Sequence, residues 1–457
     1  MKDSNLSRRK FLQLSIKGAG VAMLGGGLIA QERDNQRPTK ATYMGGFAAP
    51  KLKNVRCGFI GVGARGSGHL AWTARHEGAE VVAIADPHLP AVEKNLAKLK
   101  EQQVSGVKTY TKGENDYLRM LENEKLDLVF ISTPWAWHAR QAIDAMNNGA
   151  HAMVEVPLAV SMKELWQIID TSEKTQKHCM MMENVNYGRD ELMFLNMCRQ
   201  NAIGELLHAE AAYIHELRWQ MENEDYGTGS WRTLHYAKRN GNLYPTHGLG
   251  PVAQYMNLAR SDDTFKSLVS YSSPARGRQL YAKANYPADH KWNKLDFTCG
   301  DINNTIVKTA RGRTILVQWD ETSPRPYSRL NLIQGTKGTL AGFPTRIALE
   351  ESDFHHWTEG DDLQPYYEKY EHPLWKRIGD AAKKAGGHGG MDYVMRYRIF
   401  ECLTNGLPLD QNVYEGAYWT SVGILSEKSV KEDGMPQQFP DFTRGEWQNT
   451  DPLQIIG

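Results

Sequence analysis

The first motif that could carry chemistry is a glycine-rich turn that directly follows an apolar run. In GFIGVGARGSGHL, Gly61, Gly63 and Gly66 have the spacing GxGxxG, and Asp86 lies 20 residues after Gly66. Glycines at this spacing let a backbone approach a pyrophosphate, the following helix supplies N–H groups to it, and a later acid binds the adenosine ribose. A carboxylate at Asp86 would repel a 2′-phosphate, so the motif predicts NAD rather than NADP. Arg65 could reach a phosphate from within the turn.

The second candidate is a pair of residues suited to proton transfer, Tyr244 and His247 in YPTHGLGPVAQYMNLA. Histidine has an unperturbed pKa of roughly 6.5 and can take or give a proton near neutral pH. Tyrosine, with a pKa of about 10, needs a positive neighbour such as Arg232 or an oxidised nicotinamide to act as a base. If Tyr244 to Gly248 begins a helix, the two side chains share one face. The alternative for each residue is a purely structural role.

For several further residues the sequence does not decide between a place in a site and a structural role. His388 lies in the glycine-rich stretch AGGHGGMD, ahead of a predicted helix with Asp392 in its first turn. Capping of that helix by Asp392 is at least as good an interpretation as a place in a site. His215, Trp219 and His235 are assigned equally to a ligand pocket or to core and surface.

Alternating strands and helices must position the glycine motif. Five apolar runs, VRCGFIGVG, AEVVAIADP, LDLVFISTP, AHAMVEVP and HCMMMENVN, are separated by predicted helices such as Pro90–Glu101 and Ala136–Asn148. This alternation predicts an α/β domain with a doubly wound parallel sheet that is buried on both faces. Ligands bind beyond the carboxyl ends of such strands, which adds three candidate segments. They are Ser132–Ala139, Glu155–Pro157 and Glu183–Tyr187.

The pattern changes after about Asn186. Alternating stretches with turn signals at Arg311-Gly312 and at Gly335 to Gly338 predict a second, α+β domain with a mostly antiparallel open sheet. We therefore divide the chain into a signal segment (1–31), a linker or arm (32–53), a Rossmann domain (54–186) and a C-terminal substrate and catalytic domain (187–457).

The N-terminal segment predicts export. Ser7-Arg8-Arg9-Lys10-Phe11-Leu12 resembles the twin-arginine motif, and the apolar stretch after it is short and glycine-rich for a membrane span. The prediction is a periplasmic or secreted protein without stable membrane insertion after signal cleavage. The alternative is that the basic residues near the start of the sequence occur there by chance. Because this route is associated with export of folded proteins, it also predicts a tightly held cofactor.

Composition narrows the classes of partner and site. A formal net charge of +1 over 457 residues provides no overall field to attract nucleic acid, so no nucleic-acid partner is expected. The five cysteines show no CxxC spacing and no zinc signature, and we expect no metal. Cys57 and Cys179 stand in strand-like runs, which predicts free buried thiols. No two carboxylates are paired as ordinary glycosidases require.

Taken together, the motifs resemble a known superfamily over residues 55 to about 430. Gly61 to Gly66, Asp86, STPWAWHA and the tripeptide E-x-P are similar to the Gfo/Idh/MocA oxidoreductases, in which most members have E-K-P with a proton-handling lysine. Here the tripeptide is Glu155-Val156-Pro157. This departure, the twin-arginine motif, WRTLHYAKRNGNLYPTHGLGP and GGHGGMD resemble glycoside hydrolase family 109, the NAD-dependent α-N-acetylgalactosaminidases.

The resemblance implies a role for each matching residue. It assigns catalysis to His247 and Tyr244, and substrate contacts to Tyr213, Arg232, Tyr244 and Tyr327. The implied NAD contacts are Gly61, Gly63, Ala64, Arg65, Gly66, Asp86, Trp135, Ala136, Trp137, His138, Glu155, Val156, Asn184, Tyr244, Pro245, Thr246 and His247.

The resemblance also implies a reaction, the retaining hydrolysis of terminal α-N-acetylgalactosamine. In this scheme sugar C3 is oxidised by NAD, the C2 proton is removed, the aglycone is eliminated, water adds at C1, and C3 is reduced again. NAD is recycled at each turnover. Which of Tyr244 and His247 removes the C2 proton stays open. A sugar dehydrogenase of the same superfamily and a binding module without turnover are the alternatives, and a homodimer is a further expectation.

Overall fold

The computed structural model describes residues 37–352 and 355–455. The predicted twin-arginine signal (1–31) and the first residues of the predicted arm (32–53) lie outside the described residues. The described part of the arm runs across both halves of the chain. The Thr42 N–H donates to the Glu173 carbonyl (3.0 Å), and Ala48 forms a β-bridge with Pro408. The arm is thus packed against the molecule from Arg37 onward.

The apolar runs of the N-terminal half form the predicted parallel sheet. Its order is the third, second, first, fourth, fifth and sixth strand. Successive strands are therefore added first on one side of the first strand and then on its other side, as in dinucleotide-binding folds. The prediction of a doubly wound sheet is confirmed. The strands are β1 (Val55–Ile60), β2 (Ala79–Ala85), β3 (Lys108–Tyr110), β4 (Leu128–Ile131), β5 (His151–Val154) and β6 (Cys179–Met181).

Helices connect these strands and cover both faces of the sheet. Two of them begin one residue earlier than the sequence indicates, at Leu89 and at Trp135. The early start places Trp135 in the first turn, at the carboxyl end of β4. The helices are α1 (Gly66–Thr73), α2 (Leu89–Glu101), α3 (Asp116–Asn123), α4 (Trp135–Asn147) and α5 (Met162–Thr175).

The C-terminal half contains the predicted open sheet. Antiparallel pairs predominate, and one parallel pair joins the first strand of this half to the fourth. Both predicted hairpin turns, at Arg311-Gly312 and at Gly335 to Gly338, join neighbouring antiparallel strands. In spatial order the strands are β14 (Thr358–Glu359), β13 (Arg346–Leu349), β12 (Gly338–Ala341), β11 (Leu332–Gly335), β7 (Leu206–Ile214), β10 (Thr314–Asp320), β9 (Ile302–Thr309), β8 (Phe265–Ser272) and β15 (Gln437–Gln438).

Helices cover the inner face of this sheet and join it to the Rossmann domain. The helix that begins at Thr246 lies directly on β7. A Cβ at Gly248 would be 2.3 Å from the Ala212 nitrogen, so only glycine permits this approach. The helices are α6 (Arg189–Arg199), α7 (Thr228–Lys238), α8 (Thr246–Tyr255), α9 (Gly277–Asn285), α10 (Gln364–Tyr370), α11 (Pro373–Ala385), α12 (Met391–Asn405) and α13 (Val413–Lys431).

The cysteines are free, and Cys57 and Cys179 are buried as predicted. Within residues 37–352 and 355–455, no helix combines the length and the apolar character needed to cross a membrane. The same residues contain no group of three or more histidine, cysteine or acidic side chains that could hold a metal ion.

Candidate active site

One cavity of about 630 Å³ lies between the carboxyl ends of the Rossmann strands and the second sheet. It brings most of the predicted site residues together. Ala136 is exposed on the far side of α4, and Gly66, Pro245, Thr246 and Tyr327 also lie outside its lining. The predicted residues that line the cavity are Gly61, Gly63, Ala64, Arg65, Asp86, Trp135, Trp137, His138, Glu155, Val156, Asn184, Tyr213, Arg232, Tyr244 and His247.

The glycine motif has the geometry that a bound dinucleotide needs. A Cβ at Gly66 would be 1.9 Å from the Gly61 carbonyl oxygen, so the absence of a side chain lets α1 begin directly against β1. Asp86 is buried at the end of β2, where its carboxylate accepts the Val62 N–H (2.9 Å) and the His88 N–H (2.8 Å). The carboxylate is therefore fixed beside the glycine turn. These residues fit the adenosine half of NAD.

Beside the glycine motif, charged residues form a connected group. We call Arg65, His69, Glu155, Asn184 and Asp392 the ionic cluster. Arg65 donates to Glu155 (3.1 Å) and to both oxygens of Asp392 (3.1 and 3.4 Å), and Asn184 donates to Asp392 (2.7 Å). His69 donates through Nε2 to Glu155 (2.7 Å). Each charge in the ionic cluster thus has a counter-charge or a hydrogen bond within 3.4 Å.

The pKa shifts in the ionic cluster favour ionised carboxylates. Burial alone would raise the pKa of Glu155, but Arg65 and His69 together lower that pKa to about 2. Burial, followed by the charge of Arg396, lowers the pKa of His69 to about 4, so its ring is neutral at neutral pH. Burial opposes ionisation of Asp392, yet its hydrogen bond from His388 and the charge of Arg65 hold its pKa well below the usual range.

The structure places Asp392 in the first turn of α12 and also beside Arg65. A negative charge in the first turn favours the N-terminus of the helix, as one of the two interpretations expected. The Asp392 carboxylate accepts hydrogen bonds from Arg65, Asn184 and His388. Asp392 thereby connects α12 to the turn after β1, and His388 beside it lines the cavity.

The opposite side of the cavity is built from rings around one buried guanidinium. We call Trp135, Trp231, Arg232 and Tyr244 the aromatic cluster. The Arg232 Cζ lies 5.0 Å from the ring centre of Trp135, 5.5 Å from that of Trp231 and 5.1 Å from that of Tyr244. The nearest carboxylate, that of the fully buried Glu321, is 3.9 Å away. Arg232 thus keeps its charge mainly over ring faces.

Tyr244 and His247 are neighbours, although not for the predicted reason. Helix α8 begins at Thr246, so Tyr244 precedes it and the two residues do not share one helical face. Their ring centres are nevertheless 5.0 Å apart, at an interplanar angle of 79°. Burial raises the pKa of Tyr244, and the charge of Arg232 opposes that rise only in part.

A buried carboxylate supports His247 from behind. Glu183, fully buried, has its Oε1 2.6 Å from the Nδ1 of His247. Because an ionised carboxylate only accepts hydrogen bonds, Nδ1 carries the hydrogen and Nε2 keeps a lone pair. His247 therefore has the arrangement of a general base with an orienting acid.

The remaining predicted residues lie beside His247, at the rim or in the cofactor half. The Tyr213 hydroxyl is 2.8 Å from the Nδ1 of His215, and Tyr327, 41% exposed, stands at the rim with its ring centre 4.9 Å from that of His215. His138 is buried, with both ring nitrogens directed at backbone carbonyls, those of Pro157 (2.7 Å) and Thr133 (2.8 Å). Its ring therefore ties together the segments that follow β4 and β5.

Several site residues were missed or left open in the sequence. Glu183 and Trp231 stood in quoted motifs but had no assigned role, because only the fold brings Glu183 to His247 and Trp231 to Arg232. His215 lines the cavity. Trp219 is 47% exposed and, like His235, is not part of the lining. Tyr226, in no motif at all, also lines the cavity.

Comparison with known proteins agrees with this site. Residues 55–183 match the oxidoreductase family, NAD-binding Rossmann fold, and residues 187–449 match the C-terminal domain of glycosyl hydrolase 109. The chain is 59% identical to the glycosyl hydrolase family 109 protein 1 of Akkermansia muciniphila, over 99% of this chain and 100% of that protein. The chain belongs to glycosyl hydrolase family 109. An α-N-acetylgalactosaminidase of Shewanella oneidensis is 53% identical to this family 109 protein, over 99% of both chains.

Solved structures show the same fold at low sequence identity. Levoglucosan dehydrogenase in complex with NADH superposes on the family 109 protein with a TM-score of 0.63 at 17% identity, over 85% of this chain and all of that one. An oxidoreductase domain protein from Kribbella flavida gives a TM-score of 0.64 at 17% identity, with the same coverage. At this identity the likeness concerns the fold alone. The Gfo/Idh/MocA architecture and the NAD-binding Rossmann domain of the chain are confirmed.

Proposed function

We propose that this family 109 protein hydrolyses terminal α-N-acetylgalactosaminides with retention, and that it holds NAD tightly and recycles it at each turnover. The observation that carries the proposal is the union of two parts in one cavity. The dinucleotide motif at Gly61 and Asp86 forms one end, and His247 with its buried carboxylate opens into the other. The name of the Shewanella oneidensis relative supplies the sugar and the linkage.

The cofactor half is assigned to residues whose geometry suits a dinucleotide. Asp86 would hold the adenosine ribose, and the glycine turn with the start of α1 would hold the pyrophosphate. Glu155 and Val156 would line the nicotinamide end. Bound NAD supplies a reversible oxidation at sugar C3, which acidifies the proton on C2.

His247 is the residue we assign to proton removal. Its Nε2 has the free lone pair, and the positive charge gained on protonation would lie 2.6 Å from the Glu183 carboxylate. The buried carboxylate stabilises that imidazolium in a site of low dielectric constant. His247 therefore takes the C2 proton, and Glu183 acts as its positioning residue.

Tyr244 and Arg232 receive complementary assignments. Because burial raises the pKa of Tyr244, its hydroxyl stays protonated at neutral pH and donates a hydrogen bond to a sugar oxygen. Arg232, buried beside the ring, provides a fixed positive charge that stabilises negative charge on that oxygen. Both residues thus hold the sugar while His247 moves the proton.

Glu155 does not suit the role of the acid in an ordinary glycosidase mechanism. Among the described carboxylates that line the cavity, Glu155 stands in the cluster opposite Arg232, and its pKa of about 2 keeps it ionised. A general acid in such enzymes needs a raised pKa. The environment of Glu155 suits a fixed charge rather than proton donation.

Val156 bears on the competing activity, that of a sugar dehydrogenase. The side chain is 4% exposed and lines the cavity at the place where most members of the superfamily have lysine. An aliphatic side chain cannot accept the hydroxyl proton that oxidation at C3 releases, so in either reaction this proton passes to solvent or to another group of the cavity and returns when C3 is reduced. The absence of the lysine that most dehydrogenases of the superfamily have is what favours the glycosidase.

Export completes the proposal. The sequence around Arg8 and Arg9 supports passage through the twin-arginine route with NAD already bound, to the periplasm or the exterior. A protein that regenerates its cofactor at each turnover needs no supply of NAD at its destination.

The decisive experiment incubates the full protein with p-nitrophenyl α-N-acetylgalactosaminide in D₂O. We expect release of nitrophenol, no accumulation of NADH, and deuterium at C2 of the retained sugar. Release without exchange at C2 would overturn the elimination mechanism. NADH formed in proportion to product would establish the dehydrogenase instead. The absence of any turnover would favour the remaining alternative, a protein that binds its ligands without catalysis.

A further inference from the structure

Tyr226 from the C-terminal half reaches across to the glycine motif of the Rossmann domain. It stands in a short connection, residues 223–227, that leads into α7, and we call this connection the Tyr226 loop. The Tyr226 hydroxyl donates to the Asp86 Oδ2 (3.3 Å), and its ring stacks on that of His88 with centres 3.8 Å apart at 12°. The ring is 39% exposed. Tyr226 therefore covers the adenosine end of the cavity.

The hydroxyl also occupies space in front of the second glycine. A Cβ placed on Gly63 would be 2.8 Å from the Tyr226 oxygen. The lack of a side chain at this glycine is what lets a pyrophosphate approach the backbone. The position of Tyr226 thus overlaps the path of a dinucleotide at the two residues, Gly63 and Asp86, that recognise it.

The acceptor capacity of Asp86 points the same way. A carboxylate oxygen accepts about two hydrogen bonds. Oδ2 already accepts the Val62 N–H at 2.9 Å, and Tyr226 fills its second place. A ribose that bonds to Oδ2 must therefore displace the hydroxyl of Tyr226.

The Tyr226 loop is anchored at one side and exposed at its tip, where Asp225 lies 3.9 Å from the Lys291 ammonium. Glu224 lies 3.0 Å from His290 and 3.1 Å from the Lys291 ammonium, which fixes the loop to the 3₁₀ turn at Lys291–Lys294. Asp225 next to it is fully exposed, and Gly227 has a φ of 103°, a conformation that glycine adopts without strain. A rotation of Tyr226 away from Asp86 can therefore leave the anchor intact.

We propose that Tyr226 is a gate at the adenosine end of the cavity: its hydroxyl bonds to Asp86 in place of the adenosine ribose, and NAD enters only when Tyr226 has turned outward. The gate rests on the proposed function only in requiring that the cavity binds NAD. It requires neither glycoside hydrolysis nor any particular sugar.

The test compares the full protein with Tyr226→Phe, Tyr226→Ala and a control, Tyr286→Phe, which alters a partly buried tyrosine outside the cavity lining. Equilibrium dialysis with isotopically labelled NAD gives Kd, and a chase of bound label with unlabelled NAD gives the dissociation rate. The association rate constant is the dissociation rate constant divided by Kd. Melting temperatures establish that each variant is folded.

We expect Tyr226→Phe to bind NAD about tenfold more tightly, the effect of removing one hydrogen bond to a charged acceptor from the competing state. The gain should lie in the association rate, with dissociation changed less than twofold, and Tyr226→Ala should behave likewise. An unchanged Kd, or faster dissociation with weaker binding, would overturn the gate. Each protein is first freed of any NAD that it retains. If the unaltered protein then bound no labelled NAD, the proposed function would fail together with the gate, whereas a failure confined to Tyr226→Phe leaves the proposed function intact.

Discussion

The ionic cluster and the aromatic cluster face the same cavity but hold their charges in opposite ways. In the ionic cluster Arg65 has carboxylate oxygens of two residues within 3.4 Å. In the aromatic cluster Arg232 is surrounded by three rings, and its nearest carboxylate is 3.9 Å away. The first arrangement neutralises charge within the protein. The second leaves a positive charge available to whatever binds beside Tyr244.

The difference suggests a division of labour within the cavity. Buried charges that are mutually satisfied fix geometry, since moving one of them exposes the others to a low dielectric constant. A buried cation without a close partner stabilises negative charge that develops during a reaction. In the proposed function the ionic cluster maintains the shape of the cofactor end, and the aromatic cluster with His247 forms the reactive end.

The largest effect should come from the reactive end. We expect His247→Ala to lower kcat about a thousandfold and to abolish deuterium incorporation at C2, because loss of a general base costs on the order of 10² to 10⁴ in rate. Labelled NAD should bind as before. The control is His208→Ala, which alters a partly exposed histidine of β7. Full turnover by His247→Ala would place the base elsewhere.

Arg232→Met should have the next largest effect. Removal of the cation should lower kcat about a hundredfold, in the range found for the loss of one group that stabilises transition-state charge. Because Arg232 lowers the pKa of Tyr244, its loss should raise that pKa further and move any alkaline limb of the pH profile to higher pH. Arg239→Met, which removes a cation paired with Glu427 beyond the end of α7, is the control. A hundredfold loss in the control would contradict the special role of Arg232.

Asp392→Asn should act on stability rather than on chemistry. Loss of a charged acceptor shared by Arg65 and Asn184 should cost about 2 kcal/mol in the free energy of unfolding at neutral pH. The folded pKa of Asp392 is depressed, so this stabilisation is present above its unfolded pKa of about 3.9 and is lost as pH falls through the folded value. The difference from wild type in urea unfolding should therefore narrow in acid.

The control for this prediction is Asp410→Asn, which removes the carboxylate that Arg398 binds at 2.8 and 3.0 Å. Both variants should lose stability. Only Asp392→Asn should also weaken NAD binding, because Arg65 loses its anchor. Equal NAD affinity in the two variants would show that the ionic cluster does not maintain the cofactor end.

The smallest effect is expected at Tyr213, a buried residue whose ring centre lies 5.1 Å from that of His247. Tyr213→Phe keeps the ring but removes the hydrogen bond between its hydroxyl and His215, worth about 1 kcal/mol. We expect a rise in KM of about fivefold with kcat nearly unchanged. Tyr271→Phe, on the exposed face of β8, should leave both constants as they are. A fall in kcat for Tyr213→Phe would add the Tyr213 hydroxyl to the reactive end.

The sequence predicts the cofactor half well because its signals are local. Glycine spacing, the acid after β2 and alternating strands and helices all act within a short stretch of chain, and the sheet places them together. The pairing of Tyr244 with His247 was predicted for a wrong reason, since α8 begins after Tyr244. The contacts of Glu183 with His247, of Asp392 with Arg65 and of Tyr226 with Asp86 join distant segments, and no periodicity indicates them.

The contact of α8 with β7 at Gly248 has a consequence for variation in this protein. Backbone touches backbone there, with no side chain between them, and both elements carry site residues at that point: His247 on the helix and Tyr213 on the strand. Their spacing is therefore set by main-chain contact. A Cβ at Gly248 would lie 2.3 Å from the Ala212 nitrogen, so a single added carbon would force the helix away and separate the two rings.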